Sequence, residues 1–273
     1  MKILIAGFGY VGQELGRQAI AAGHQITALS KSGGEGSRAC DLSNCSDVVA
    51  LAREVEPDVI IHCASSGRGG ADAYRAVFLE GSRNLLSAFP AARLIFVSSS
   101  SVYGQVDGST VDESSATEPG RETSRILLEA EEVVLSTGGT VARLAGIYGP
   151  GRSVVLKKFL ADEAVIEEDG RRILNQIHRD DAARALIHLA GRADAAGELF
   201  NVADSQPLSQ LETYQGLAEL FDRPLPPSGP KPENRKRAWT HKSVSNAKLL
   251  ATGWKPAFPS FLDAAREIAP TLD

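Results

Sequence analysis

Apolar positions along the chain fall into short unbroken runs separated by stretches with helical spacing. The runs are Lys2 to Ala6, Gln25 to Leu29, Asp58 to Ala64, Arg93 to Ser99, Thr140 to Gly146 and Glu198 to Ala203. Inside them, Val59-Ile60-Ile61 and Leu94-Ile95-Phe96-Val97 are apolar in succession. Unbroken runs suit parallel strands covered on both faces, whereas alternation would suit a half-wet sheet. The pattern predicts an α/β fold with a doubly wound parallel sheet of about seven strands. After Pro150 the strand-helix rhythm stops up to Gln176, and Ser205 to Pro259 is rich in proline and charge. This predicts a main domain over 1–150 plus 176–204 and a small C-terminal substrate lobe over 151–175 plus 205–273. Asp180 to Gly191 reads as a helix rejoining the main domain, with Asp180 or Asp181 as its N-cap.

The first strand runs directly into Gly7-Phe8-Gly9-Tyr10-Val11-Gly12 and then a helical pattern. Each glycine has its own task. Gly7 allows the tight turn, Gly9 lets backbone approach a pyrophosphate, and Gly12 lets helix and strand pack closely. The amides opening the helix then face the phosphate charge. Strand, glycine turn and helix together predict a Rossmann-type dinucleotide site.

Composition narrows the class. The 273 residues are 43% hydrophobic with a net charge of -5, which fits a globular protein and disfavours a nucleic-acid surface. The run from Lys231 to Lys242 is locally basic and reads as a solvated loop. No apolar run reaches the length of a membrane span. No secretory cleavage pattern is visible, and three cysteines, Cys40, Cys45 and Cys63, cannot build a disulfide framework. A cytoplasmic protein with no metal site is expected.

The second strand ends in Ser30-Lys31-Ser32, and no acid follows until Glu35. NAD-binding folds carry an acid near this point for the ribose 2'-hydroxyl, whereas Lys31 with Ser30 and Ser32 would attract a 2'-phosphate. NADP(H) is therefore favoured over NAD(H). The competing reading of Lys31 is an ordinary surface charge.

Beyond these residues the chain resembles the extended branch of the short-chain dehydrogenase/reductase superfamily, the NAD(P)-dependent sugar epimerases and dehydratases. The resemblance runs through Asp41-Leu42, His62-Cys63-Ala64-Ser65, FVSSSSVYG (96–104), RLAGIYGPG (143–151), NQIHRDD (175–181) and Asn201-Val202-Ala203. It implies that Asp41 and Leu42 contact adenine, that Cys63, Ala64 and Ser65 line the nucleotide, and that Ser99 is the catalytic serine. The family's Tyr-x-x-x-Lys is missing. Residues four after the five tyrosines are Glu14, Phe78, Asp107, Arg152 and Ala218. By resemblance, Arg121 stands at the Tyr position and Arg125 at the Lys position of the helix 119–136. A guanidinium stays protonated and cannot serve as general base.

Candidate chemistry then rests on Ser99 as a contact to a substrate oxygen, with Tyr103 as an alternative proton donor. Set against these are a serine bonding its own turn and an aromatic packing the crevice wall. Arg121 and Arg125, one turn apart, suit a carboxylate or phosphate, and Arg125 could also hold the ribose. Salt bridges to Glu118, Glu122 or Glu129 are the bland alternative. Tyr148, Arg152 and Asn175 flank the expected substrate side, or are structural. His178 reads as a core or turn histidine, and Trp239 and Trp254 as packing of the small lobe. The helices at 74–89 and 126–135 carry more apolar residues than one buried stripe needs, and the resemblance makes these a homodimer interface. The leading functional reading is an NAD(P)-dependent oxidoreductase or epimerase acting on a hydroxyl or carbonyl of a small polar substrate, an anionic one if the arginines bind it. The alternative is a non-catalytic NADP(H)-binding sensor.

Overall fold

A computed structural model describes residues 1–34, 36–67, 69–231 and 239–272. Glu35 and residues 232–238 of the basic run lie outside the described residues. The central sheet has seven strands. Its first five are β1 (Lys2–Ala6), β2 (Gln25–Ser30), β3 (Arg38–Ala39), β4 (Val59–His62) and β5 (Arg93–Ser99). The order from one edge is Leu199–Val202, Thr140–Leu144, β5, β4, β1, β2, β3. The pairs β1–β2, β1–β4, β4–β5 and β2–β3 are parallel, with Ile3 opposite Ile26 on one side and Val59 on the other. Ile3, Leu4, Ile5, Ile60, Ile61, Leu94, Ile95 and Phe96 are all buried, as unbroken apolar strands require.

The chain divides into two compact units. The first comprises Met1–Val102, Pro119–Arg143 and Ala183–Phe200, the second Tyr103–Glu118, Leu144–Ala182 and Asn201–Asp273. In the first unit β1 is followed by α1 (Tyr10–Ala21), and α2 (Cys45–Ala52) starts at Asn44, whose side chain accepts the Ser46 amide. The helix Glu122–Ser136 buries Ser124, Ile126, Leu127, Ala130, Glu131 and Val134. It starts three residues later than the sequence pattern suggests. Arg121 is its N-cap, in extended conformation, so the expected face shared by Arg121 and Arg125 begins one residue outside the helix.

The second unit packs an aromatic core in which Tyr148, Phe159, Ile166, Tyr214, Leu217, Phe261 and Ile268 are buried. Its strands are short pairs, among them Gly146–Tyr148 with Gln176–His178 and Thr110–Val111 with Ser243–Val244. Two of its helices begin at capping boxes, Ser209 with Glu212 and Ser260 with Asp263. In the helix at Arg179–Ala190, Asp180 and Asp181 both lie in the first turn. The Asp181 carboxylate accepts the amides of Ala257 and Phe258, both at 2.9 Å.

Candidate nucleotide site and its surroundings

The turn after β1 lies where the sheet order reverses, between β1 and β4, the usual ligand crevice of an open α/β sheet. Gly7 has φ +112, and a Cβ there would lie 2.3 Å from the Ala64 backbone. At Gly12 a Cβ would lie 2.0 Å from the Gly7 carbonyl oxygen. Gly9, in contrast, has nothing within 4 Å of such an atom and is exposed. Two glycines are thus demanded by packing, and the middle one opens a space over the start of α1. That helix has no acidic residue in its first turn and no side-chain cap at Gly9. An anion there meets the amide end of the helix and the positive end of its dipole without a competing first-turn acid. The amides of Gly7 and Phe8 are anchored on the Leu29 carbonyl at 3.0 and 2.8 Å. Tyr10 and Val11 are half-buried on the first turn. These residues fit a dinucleotide pyrophosphate.

Of the other expected nucleotide residues, Cys63 and Ala64 lie against the turn. The Cys63 thiol donates to the Gly7 carbonyl at 3.1 Å, and burial pushes its pKa up to about 12, so it acts as a neutral strut. Ala64 packs on Gly7, and the Ser65 hydroxyl accepts the Gly67 amide. Asp41 accepts the backbone and hydroxyl of Ser43. The Leu42 carbonyl takes the Asn84 amide at 2.8 Å. Lys31 forms an exposed ion pair with Asp41 at 2.8 Å. The hydrogen bond and charge of Asp41 raise the Lys31 pKa, and Lys31 and Ser43 lower that of Asp41. Ser30 bonds the Ser37 hydroxyl and the Gly33 carbonyl, and Ser32 reaches the same carbonyl. Lys31 lies at the surface.

Ser99 is half-buried at the end of β5, and its oxygen accepts the Ser101 amide at 3.2 Å. Arg121 and Arg125 are exposed. Glu129 is bonded to Arg75.

Three expected site residues make internal contacts. Tyr103 is fully buried, and its hydroxyl faces the Asp112 carbonyl at 2.8 Å and Asn201 Oδ1 at 3.0 Å. Its hydroxyl proton is shared between these internal acceptors. Tyr148 is in the core of the second unit, edge-on to His178 and Phe261. Asn175 donates to the Lys242 carbonyl and accepts the Val244 amide, at 2.8 and 2.7 Å. Its side-chain amide thus bridges two backbone positions of the segment at 242–244. Arg152 is exposed in the tight turn it closes with Gly149. His178 is a turn histidine: Nδ1 accepts the Asp180 amide, and burial lowers its pKa. Trp254 is buried, whereas Trp239 is half-buried and lines a cavity.

Sequence reasoning missed a buried ionic cluster behind β5. Ser98 donates to Glu131 at 2.5 Å, and Glu131 takes Arg143 through both Nε and Nη2. Charged residues in a helix read as solvated, and the only signal was Arg143 inside an otherwise apolar strand. His62, read as bland, is fully buried with Nε2 3.0 Å from the Val77 carbonyl, and burial lowers its pKa to about 4.

The NAD dependent epimerase/dehydratase family model matches residues 3–203. Protein YeeZ of Escherichia coli (strain K12) is 29% identical over 240 residues, covering 81% of this chain and 84% of its own length. A 2'-dehydrokanamycin reductase of Streptomyces kanamyceticus is 27% identical, covering 94% and 76%. Among solved structures, human epimerase family protein SDR39U1 with NADPH shares the fold at TM-score 0.81 and 21% identity, covering 100% of both chains.

Proposed function

The chain belongs to the NAD dependent epimerase/dehydratase family, and from that premise we infer that it is an NAD(P)-dependent oxidoreductase or epimerase of a small polar substrate. The observation that carries the reading is the cradle at Gly7, Gly9 and Gly12, where two positions are closed to any side chain and the middle one is open. Bound there, a nicotinamide cofactor supplies a hydride donor or acceptor for a substrate hydroxyl or carbonyl. NADP(H) is the preferred form, with Lys31, Ser30 and Ser32 taking the 2'-phosphate once Lys31 exchanges Asp41 for it. Asp41 and Leu42 border the adenine, and Cys63, Ala64 and Ser65 line the nucleotide.

Ser99 is the group for a substrate oxygen. Its oxygen already accepts a backbone amide, which leaves the hydroxyl proton to donate. Arg121 and Arg125 favour an anionic substrate, with Arg125 as the alternative holder of the ribose. Two copies of the chain would pair through the helices at 74–89 and 126–135. A second reading, a nucleotide-binding sensor without catalysis, is favoured by two observations: the Tyr103 hydroxyl is engaged internally, and the sequence has no Tyr-x-x-x-Lys.

The deciding experiment is NADPH and NADH titration followed by single-turnover oxidation of bound NADPH with a panel of small carbonyl compounds. Binding with turnover supports the enzyme. Binding without turnover across the panel supports the sensor, and absence of nucleotide binding overturns both.

A further inference from the structure

The helical stretch from Ala71 to Ala88 changes its winding in the middle. Ala71–Tyr74 and Gly81–Ala88 are α-helical, whereas Arg75–Glu80 between them is π-helical. At the end of that segment the Gly81 amide reaches back five residues, to the Ala76 carbonyl. A π turn takes in one extra residue, so the residues after it are rotated by about 100° from where a continuous α-helix would put them. Such turns are rare and often mark a functional site.

His62 holds this one from outside. It closes β4, is fully buried, and its Nε2 lies 3.0 Å from the Val77 carbonyl inside the π segment. A carbonyl only accepts, so Nε2 carries the proton and donates it. Phe78 stacks on the imidazole at 6.3 Å between ring centres, and Phe96 meets it edge-on at 5.5 Å. Burial lowers its pKa to about 4, which keeps the ring neutral at physiological pH.

The residues that the π turn re-aims face the nucleotide side. At Gly81 a Cβ would lie 3.3 Å from the Leu42 Cβ and 3.4 Å from His62 Nε2, so the helix passes both without room for a side chain. Three residues on and sharing that face, Asn84 donates its side-chain amide to the Leu42 carbonyl at 2.8 Å. In the other direction His62 is in register with Ala6 of β1, and its neighbour Cys63 donates to the Gly7 carbonyl. One imidazole thus ties the strands that carry the glycine turn to the helix that fixes Leu42.

We propose that His62 is a positioning residue of the nucleotide site: by donating to Val77 it holds the π turn that sets Gly81 and Asn84 against Leu42, and so fixes the edge offered to adenine. This rests on the reading of Leu42 as a neighbour of the adenine. The role belongs to the hydrogen bond and not to the bulk of the ring, because the carbonyl it engages lies in the π segment itself.

The test is calorimetric titration of the full chain with NADPH, with urea unfolding of each variant as a control. His62→Leu keeps an apolar side chain and removes the donor; it is expected to weaken NADPH about tenfold. His62→Gln, whose amide can donate to the same carbonyl, should restore most of that loss. Asn84→Ala acts on Leu42 at the end of the same chain of contacts, so the double variant His62→Leu, Asn84→Ala should bind no more weakly than the weaker single variant. Gly81→Ala, which crowds Leu42 without touching the donor, should lower NADPH affinity at least about threefold, and it carries the test if His62→Leu does not fold. Unchanged NADPH affinity in folded His62→Leu or in Gly81→Ala, a His62→Gln variant as weak as His62→Leu, or additive losses in the double variant overturns the proposal while leaving the nucleotide reading intact. A wild type that binds no nucleotide overturns both.

Discussion

At Lys31 the question is which anion its charge serves. With Asp41 as partner at 2.8 Å the pair is exposed, and exposed pairs hold weakly. A doubly charged 2'-phosphate can therefore displace Asp41. Lys31→Ala should weaken NADPH binding about tenfold while leaving NADH binding nearly unchanged, as read from fluorescence titrations. Equal losses for both nucleotides would assign Lys31 to loop structure alone. Tyr103 calls for the opposite kind of test, because its hydroxyl is engaged by Asp112 and Asn201. Tyr103→Phe leaves buried acceptors unpaired and should cost about 1–2 kcal/mol of stability, measured by urea unfolding, with kcat for any substrate found altered less than about threefold. A kcat collapse at unchanged stability would restore the proton-donor role. The identity of Tyr103 was visible in the sequence, but its duty was not, because Asn201 is 98 positions away.

Among the elements, the parallel strands and the glycine turn were legible because each is a local pattern with one physical solution. Continuous apolar runs need cover on both faces, and Gly7-x-Gly9-x-x-Gly12 places its glycines where backbone has to pass backbone. The short strands of the second unit were not legible. Pairs such as Ile173–Leu174 with Leu208–Ser209 are two residues long, too short to show a period. The charges of the Glu122–Ser136 helix misled for a related reason. Glu129 and Glu131 differ by two positions and so lie on different faces: Glu129 meets Arg75 at the surface, whereas Glu131 is buried on Arg143 and Ser98. This cluster fastens the helix to β5 just before Ser99. Arg143→Met alone should cost about 3–5 kcal/mol in urea unfolding because it strands a buried carboxylate. The double variant Glu131→Met, Arg143→Met should recover most of that loss. If the single variant costs less than about 1 kcal/mol, the pair is not desolvated as described.

At the scale of the molecule, stability should carry a pH signature from the second unit. Asp204 is 2% exposed, with Oδ1 lacking a hydrogen-bond partner among the described residues. Burial first, and then the carboxylates of Asp263 and Asp181, push its pKa up to about 8. The same surroundings raise the pKa of Tyr148, to which burial again contributes most. Asp263 is engaged with the Ser260 amide and Asp181 with the amides of Ala257 and Phe258, so neither is free to move away. The folded form thus keeps a proton on Asp204 across a range in which the unfolded chain, with an ordinary carboxylate, has released it. Stability from this group is fully present below the unfolded pKa near 4, declines as pH rises toward about 8, and changes no further once the folded form also ionises. At about 1.4 kcal/mol per pKa unit, the loss across that window is on the order of a few kcal/mol. Asp204→Asn cannot ionise, so its unfolding free energy should be flatter between pH 5 and pH 8 than that of the wild type, and higher at the alkaline end. Parallel curves for the two proteins would mean that Asp204 is ionised in the folded state and is paired in a way that burial alone does not describe.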